Sequence, residues 1–392
     1  MRNLNKLIIS SIIIGMISIS TLNSPTYIDA QSQQNHSVEH LKWIDTTTIP
    51  HNQSYKGTTV GGLSGISYDA KNNNWYLASD DRSEKSPARF YEAKINYNQH
   101  GFKHTKFTNV HTFKQPDGSS YPNKNKYQHQ ENQAVADIES VRIDPITQNI
   151  LYTSEGDRSL GLNPFIREAD STGQFLADIP ITNNIKMEKD NKHGFRNNLA
   201  LEGSTFSTDG QSIWTSMEGS LLQDGQISTT RSGSFSRITQ YNRNGELISE
   251  YAYPLDAVPG NPGANKTAEN GISEMLAINN HEFLALERAS VQSADGAYHN
   301  YVRIYKFDTK NATEIKNMDS IKDEKIKPVH KQLVANLNEQ DIGKIDNIEG
   351  MTFGKQLPNG NDSLVLVTDN NFNQSQKTEL IAFEVQPEDK SN

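Results

Sequence analysis

Leu201-Glu202-Gly203-Ser204-Thr205-Phe206, followed by Ile213-Trp214-Thr215-Ser216-Met217-Glu218, reads as two short strands joined by a turn. An acid opens the first strand and another closes the second. Aliphatic, aromatic and β-branched residues bounded by Ser, Asp and Gly are what such a hairpin needs. The phrase recurs four more times: at Leu63 to Tyr68 with Trp75 to Asp80, Ile138 to Val141 with Leu151 to Glu155, Ile272 to Met275 with Phe283 to Glu287, and Ile348 to Phe353 with Leu366 to Asp369. Ser64 stands where the other copies carry Glu. Taking Ser64, Glu139, Glu202, Glu274 and Glu349 as the repeating position, the intervals are 75, 63, 72 and 75 residues. A strand-only unit at such a period signals a repeat array, each copy burying its faces against the next.

Working outward, each hairpin is followed by a third strand with alternating apolar residues, at Arg89 to Ala93, Pro164 to Arg167, Arg237 to Tyr241, Arg303 to Phe307 and Leu380 to Phe383. Fourth strands are predicted at Phe107 to Phe113, Phe175 to Ile181, Leu247 to Tyr253 and Val329 to Leu337. The fifth repeat reaches the C-terminus without one. Leu41-Lys42-Trp43-Ile44 supplies it, pairing the two ends of the chain and removing an exposed sheet edge. The fold expected is all-β: a β-propeller with five visible four-stranded repeats. The long segments 115–134, 183–198, 222–233, 256–270 and 311–327 leave room for a sixth blade, and a β-sandwich pair is the alternative architecture.

Composition agrees with an exported β protein. Of 392 residues, 34% are hydrophobic and 22% charged, and the mean hydropathy is −0.71. Arg2 and Lys6, the apolar run from Leu7 to Leu22 and the Ile28-Asp29-Ala30 site read as a secretory signal peptide over residues 1–30, of the Sec type found in bacteria. Residues 31–38 read as a flexible lead-in, and 39–388 as one domain. The leader carries Arg2, Lys6 and Asp29, a net +1, so its removal takes the formal charge from −9 to −10. That acidity disfavours nucleic acid and anionic membranes as partners. The sequence has no cysteine, which excludes disulfides, thiolate metal sites and Cys-linked lipid anchors. No coiled-coil period argues for assembly, so a monomer is expected.

In a propeller the first strand of each blade lines the central channel and the second runs antiparallel to it. The start of the first and the end of the second therefore share one face. On this reading Glu139, Glu202, Glu274 and Glu349 converge with Asp80, Glu155, Glu218, Glu287 and Asp369 at one mouth. Like charges that close require compensation by a cation or by arginine. Arg82, Arg158 and Arg288 lie just beyond the second-strand ends, and Asn370-Asn371 follows Asp369. Carboxylates with amide oxygens favour a hard cation, Ca²⁺ before Mg²⁺. Any single Glu also reads as an acceptor for the next blade's backbone; the whole set at one mouth reads as a site. Other chemistry is thin: Gly62-Leu63-Ser64-Gly65-Ile66 lacks the last Gly of a nucleophile elbow, and His281-Glu282 lacks the second His of a helical zinc motif.

Gly62-Leu63-Ser64-Gly65-Ile66, Asp137-Ile138-Glu139-Ser140-Val141, Leu201-Glu202-Gly203, Leu284-Ala285-Leu286-Glu287-Arg288, Asn347-Ile348-Glu349-Gly350-Met351 and Thr368-Asp369-Asn370-Asn371-Phe372 together resemble the bacterial phytase-like domain family, also called "esterase-like activity of phytase". The resemblance spans Gly61 to about Phe383. It implies a secreted β-propeller that hydrolyses phosphate or other esters of a small anionic molecule. Where β-propeller phytases carry Asp-x-Asp-Asp-Pro, this chain has Asp137-Ile138-Glu139 and, later, Asp144-Pro145. For such a hydrolase Glu139, Glu202, Glu274 and Glu349 would serve as ligands or base. Asp80, Glu155, Glu218, Glu287, Asp369 and Asn370 would back a Ca²⁺ cluster, and Arg82, Arg158 and Arg288 would clamp the substrate. A non-catalytic binding module with a structural cation is the competing reading.

Overall fold

Five four-stranded antiparallel sheets surround one axis, and each is built from one sequence repeat. The structure, a computed structural model, describes residues 35–129, 133–188 and 192–388. Innermost strands run Leu63–Asp69, Ile138–Ile143, Leu201–Phe206, Ala268–Ala277 and Ile348–Phe353, and each touches the next around the ring. These strands are buried along almost their whole length, because each is covered by a blade on both sides. We number the blades 1 to 5 in that order. The described residues form one compact unit. The expected leader and the first half of the lead-in, residues 31–34, fall outside the described residues.

The ring closes as the sequence leads one to expect. His40–Ile49 forms the outermost strand of blade 5, antiparallel to Thr378–Gln386, with Trp43 opposite Phe383. Among the described residues there is no sixth blade. The long segments instead carry single 3₁₀ turns at Lys124–Lys126 and Leu222–Asp224, and residues 54–59 form a small extra hairpin.

Each seam between blades is a separate apolar layer. Tyr76, Phe90 and Phe113 of blade 1 meet Ile138, Ile150 and Tyr152 of blade 2. Trp214, Ile238 and Tyr253 of blade 3 meet Met275, Phe283 and Phe307 of blade 4, with the Trp214 and Phe283 ring centroids 4.6 Å apart. Equivalent layers fill the other three seams. Burial of large side chains at about 1.5–3 kcal/mol each makes these layers the main source of stability in a chain without cross-links. Tight turns are set locally: Gly245, at φ +79°, closes the outer hairpin of blade 3 in a conformation that other residues rarely adopt.

An arginine stands on the third strand in three blades, fully buried at Arg89 and Arg237 and half-buried at Arg303. Arg89, Arg237 and Arg303 stand opposite Ser79, Met217 and Glu287 or beside them. Arg89 binds Asp81, Arg237 binds Asp224 and Glu250, and Arg303 binds Asp256. These pairs hold the loops of the upper face to the sheet beneath. Truncating either arginine of the first two would strand a buried carboxylate.

Candidate functional site

The site begins with a defect repeated in every blade. Pairing between first and second strands slips immediately after Leu63, Ile138, Leu201, Ile272 and Ile348. A bulge re-aims the side chain it expels from the ladder. The residues that follow are Ser64, Glu139, Glu202, Ser273 and Glu349, and they form the inner ring of the mouth. Their next neighbours are Gly65, Ser140, Gly203, Glu274 and Gly350. A Cβ on Gly65, Gly203 or Gly350 would come within 3 Å of the adjacent blade's backbone. The Glu-Gly pairing thus combines an expelled acid with a close inter-blade approach.

Opposite the apolar residue ahead of each slip, Leu63, Ile138, Leu201, Ile272 and Ile348, the ladder places Ser79, Ser154, Met217, Glu287 and Thr368. The next residues form the outer ring: Asp80, Glu155, Glu218, Arg288 and Asp369. Blade 4 is therefore displaced by one residue from the sequence expectation. Glu274 and Glu287 do not join the mouth. Ser273 and Arg288 occupy the two slots, so blade 4 contributes a cation where the other blades contribute acids.

Blades 1, 2, 3 and 5 bring together Asp80, Glu139, Glu155, Glu202, Glu218, Glu349 and Asp369. Asp137, just ahead of Ile138, joins them, and Glu269 of blade 4 stands close enough to Glu218 and Arg288 to interact with both. Asp137, Glu139 and Glu155 offer oxygens within 4.8 Å of one another, and so do Glu155, Glu202 and Glu218. Glu155 belongs to both groups, and its Oε1 accepts from the Ala200 N–H at 2.7 Å. Arg288 reaches Glu218 at 3.2 Å and Glu349 at 3.4 Å, and Arg82 reaches Asp137 at 3.2 Å. Asn370 Oδ1 accepts from the Gly62 and Phe372 N–H groups at 3.0 and 3.1 Å. It braces the rim of blade 5 against blade 1. Asn347 donates to Glu349 at 2.9 Å and to Asp369 at 3.3 Å.

Two arginines do not neutralise eight carboxyl groups. Burial, reinforced by neighbouring acids, pushes Asp80, Glu139, Glu202, Glu218 and Asp369 well above the usual carboxylate range. Burial lifts Glu155 to about 8, with Asp137 adding to it, and lifts Asp137 to about 6 against the pull of Arg82 and Lys124. Ser64 is fully buried in the inner ring and its Oγ has no hydrogen-bond partner in the protein.

Glu274 has a different task. It lies on the channel axis, paired with Arg142 at 2.6 Å and accepting from the Ser204 N–H at 3.1 Å. Arg142 also donates to the carbonyls of Ile66 and Ser204, each at 2.6 Å, and of Met275 at 3.3 Å. One ion pair thereby ties blades 1 to 4 together and fills the channel below the acids. Glu287 is buried between blades 3 and 4 with Tyr253, Asn270 and Lys331. Arg158 donates to the carbonyls of His193 and Phe195 at 3.1 and 2.7 Å, anchoring that loop. Arg82 and Arg288 are thus the two predicted arginines that the structure places against the acids.

Asp137 and Arg142 were not singled out from the sequence. Counting from the apolar residue of each phrase instead of from the acid finds the Ser273 and Arg288 slots, and places Asp137 at the position held elsewhere by Gly62, Ala200, Gly271 and Asn347.

The sequence model of the phytase-like family, described as "Esterase-like activity of phytase", matches residues 58–372. The chain belongs to this family. No curated protein matches the phytase-like chain in a sequence search. Among solved structures, the catalytic domain of the Coprinopsis cinerea GH62 alpha-L-arabinofuranosidase superposes with a TM-score of 0.41 at 8% identity, over 89% of this chain and 98% of that one. The Podospora anserina alpha-L-arabinofuranosidase PaAbf62A, in complex with cellotriose, gives 0.41 at 9% identity, over 90% and 99%. The Dos1 propeller gives 0.31 at 7%, over 88% and 95%. Likeness this remote says nothing of the phytase-like chain's substrate.

Proposed function

We propose that this chain is a secreted, metal-dependent hydrolase of phosphate or other esters, working at the acidic mouth of the propeller. The observation that carries the reading is the pair of three-carboxylate groups joined at Glu155. Membership of the phytase-like family supports it. Export rests on the Arg2, Lys6 and Leu7 to Leu22 pattern; among the described residues no helix is long and apolar enough to cross a membrane.

The donor set fits a hard divalent cation. Every group is an oxygen, the loops at the strand ends are irregular, and the orphaned Ser64 Oγ adds a neutral donor. Asp137, Glu139, Glu155, Glu202 and Glu218 would hold calcium, which when bound supplies charge neutralisation and a polarised water. Within the protein, Arg288 and Arg82 orient an anionic substrate from opposite sides. Arg288 Nε has no partner of its own and offers a donor to a phosphate or carboxylate oxygen. Glu349 sits beside Arg288 at a partly open position and is placed to accept a proton. The Arg142–Glu274 pair closes the floor and keeps bulk water from passing along the axis.

Phosphatase and esterase assays with and without Ca²⁺, on wild type, Glu202→Gln and Glu349→Gln, test the reading. Calcium-dependent turnover lost in both variants is the expected result. Thermal stabilisation by Ca²⁺ without hydrolysis of any ester would reduce the protein to a binding module with a structural cation.

A further inference from the structure

On the face away from the acids, a groove of about 400 Å³ opens along blade 1, lined by Asn72, Asn74, Tyr76, Glu92, Lys94 and Thr108. That volume lies within the roughly 300–1,000 Å³ of small-molecule sites. It sits at the lower edge of the seam with blade 2: Asn72 reaches Gln148 of blade 2 at 3.3 Å, and Tyr76 belongs to the apolar layer between the two blades. Asn74 is 93% buried, from a relative exposure of 7%. Its Nδ2 donates to Glu92 Oε2 at 3.0 Å, while its Oδ1 is buried with no partner. A buried amide oxygen left unpaired is costly, so a ligand that brings it a donor is favoured there.

The lining decides the class of ligand. Glu92 is its one carboxylate, already held by Asn74 and by His111 at 2.7 Å, too little for a hard cation. Lys94 is its one cation, and its Nζ donates to the backbone carbonyls of Asn72 and Asn73; Glu92 repels an anion. The two charges offset, and what remains is amide, hydroxyl and phenol. We propose that this groove binds a neutral polyhydroxylated ligand, a sugar of one or two rings, with Asn74 Oδ1 accepting from one hydroxyl and Thr108 and Tyr76 meeting others. The site is independent of the mouth and of the hydrolase reading.

Saturation-transfer NMR on the mature chain with a panel of neutral mono- and disaccharides tests it. The expected result is a signal from at least one sugar that falls at least tenfold in Thr108→Arg, which fills the groove from its exposed side, and in Asn74→Asp, which adds a carboxylate beside Glu92. The signal persists in Glu202→Gln, with circular dichroism unchanged in all three. No signal from any sugar, or a signal that survives both groove variants, overturns the proposal. A signal lost in Glu202→Gln but kept in Thr108→Arg overturns it too, by placing the sugar in the mouth.

Discussion

Replacing Glu155 by Gln should stabilise the metal-free protein at pH 8 and abolish its stabilisation by calcium. Glu155 is the acid common to both three-carboxylate groups, and Gln keeps an oxygen for the Ala200 N–H. In the folded chain its carboxyl is raised from 4.5 to about 8. Below pH 4.5 folded and unfolded states are both protonated and the group costs nothing. From 4.5 to about 8 only the folded state holds the proton, so stability falls by about 1.4 kcal/mol per pH unit, on the order of 5 kcal/mol in all. The variant lacks this loss. With about 2.1 cal/mol/K of unfolding entropy per residue over roughly 350 residues, 5 kcal/mol corresponds to about 7 °C in Tm at pH 8. Calcium at 100 times its Kd adds about 2.7 kcal/mol, or about 4 °C, to wild type and little to the variant. Differential scanning fluorimetry at pH 5 and 8, with EDTA or CaCl₂, reads both effects. If calcium raises the variant as much as wild type, or the metal-free variant melts below wild type at pH 8, Glu155 is not the shared ligand.

Arg142→Ala leaves Glu274 buried and unpaired and should cost about 3–5 kcal/mol in urea unfolding, whereas Arg142→Leu with Glu274→Leu should recover most of it; equal losses would mean the pair is not the tie between blades. Arg288→Gln removes the one cation from the outer ring and should tighten calcium binding measured by titration calorimetry; weaker binding would contradict its role as an internal counter-charge. Gly62→Ala drives a Cβ into Asp80 Oδ1 at φ +60° and should lower Tm and calcium response together, because the Asp80 rim must move. Deleting residues 35–49 exposes the edge of Thr378–Gln386 and should yield aggregate on gel filtration; a monomeric, folded product would show that the ring does not depend on its closing strand.

The architecture was legible because the repeat carries its own punctuation. Strand order, the closing strand around Trp43 and four outer strands all follow from alternation bounded by Gly, Asn and Asp. Blade number was ambiguous only while the long loops could hide strands, and among the described residues those loops form no further blade. Composition of the mouth was legible to within one residue. In blade 4, Ile272-Ser273-Glu274 invites alignment on its Glu, but the pleat is counted from the buried Ile272 that faces Glu287. The bulge then expels Ser273, leaving Glu274 to the axis and Arg288 to the rim. Arg142 was out of reach because its partners, the carbonyls of Ile66, Ser204 and Met275, belong to three other blades and leave no local pattern. Glu274 comes near the plainer expectation for such residues, but the backbone it accepts from is that of the preceding blade, at the Ser204 N–H.

The stopper formed by Arg142 and Glu274 turns the axial passage into a blind well. Under the proposed function, whatever enters among the carboxylates would have to leave by the same mouth, past Asp80 and Glu349. Departure and arrival would then compete for one exit, so a product anion held on Arg288 would block its successor.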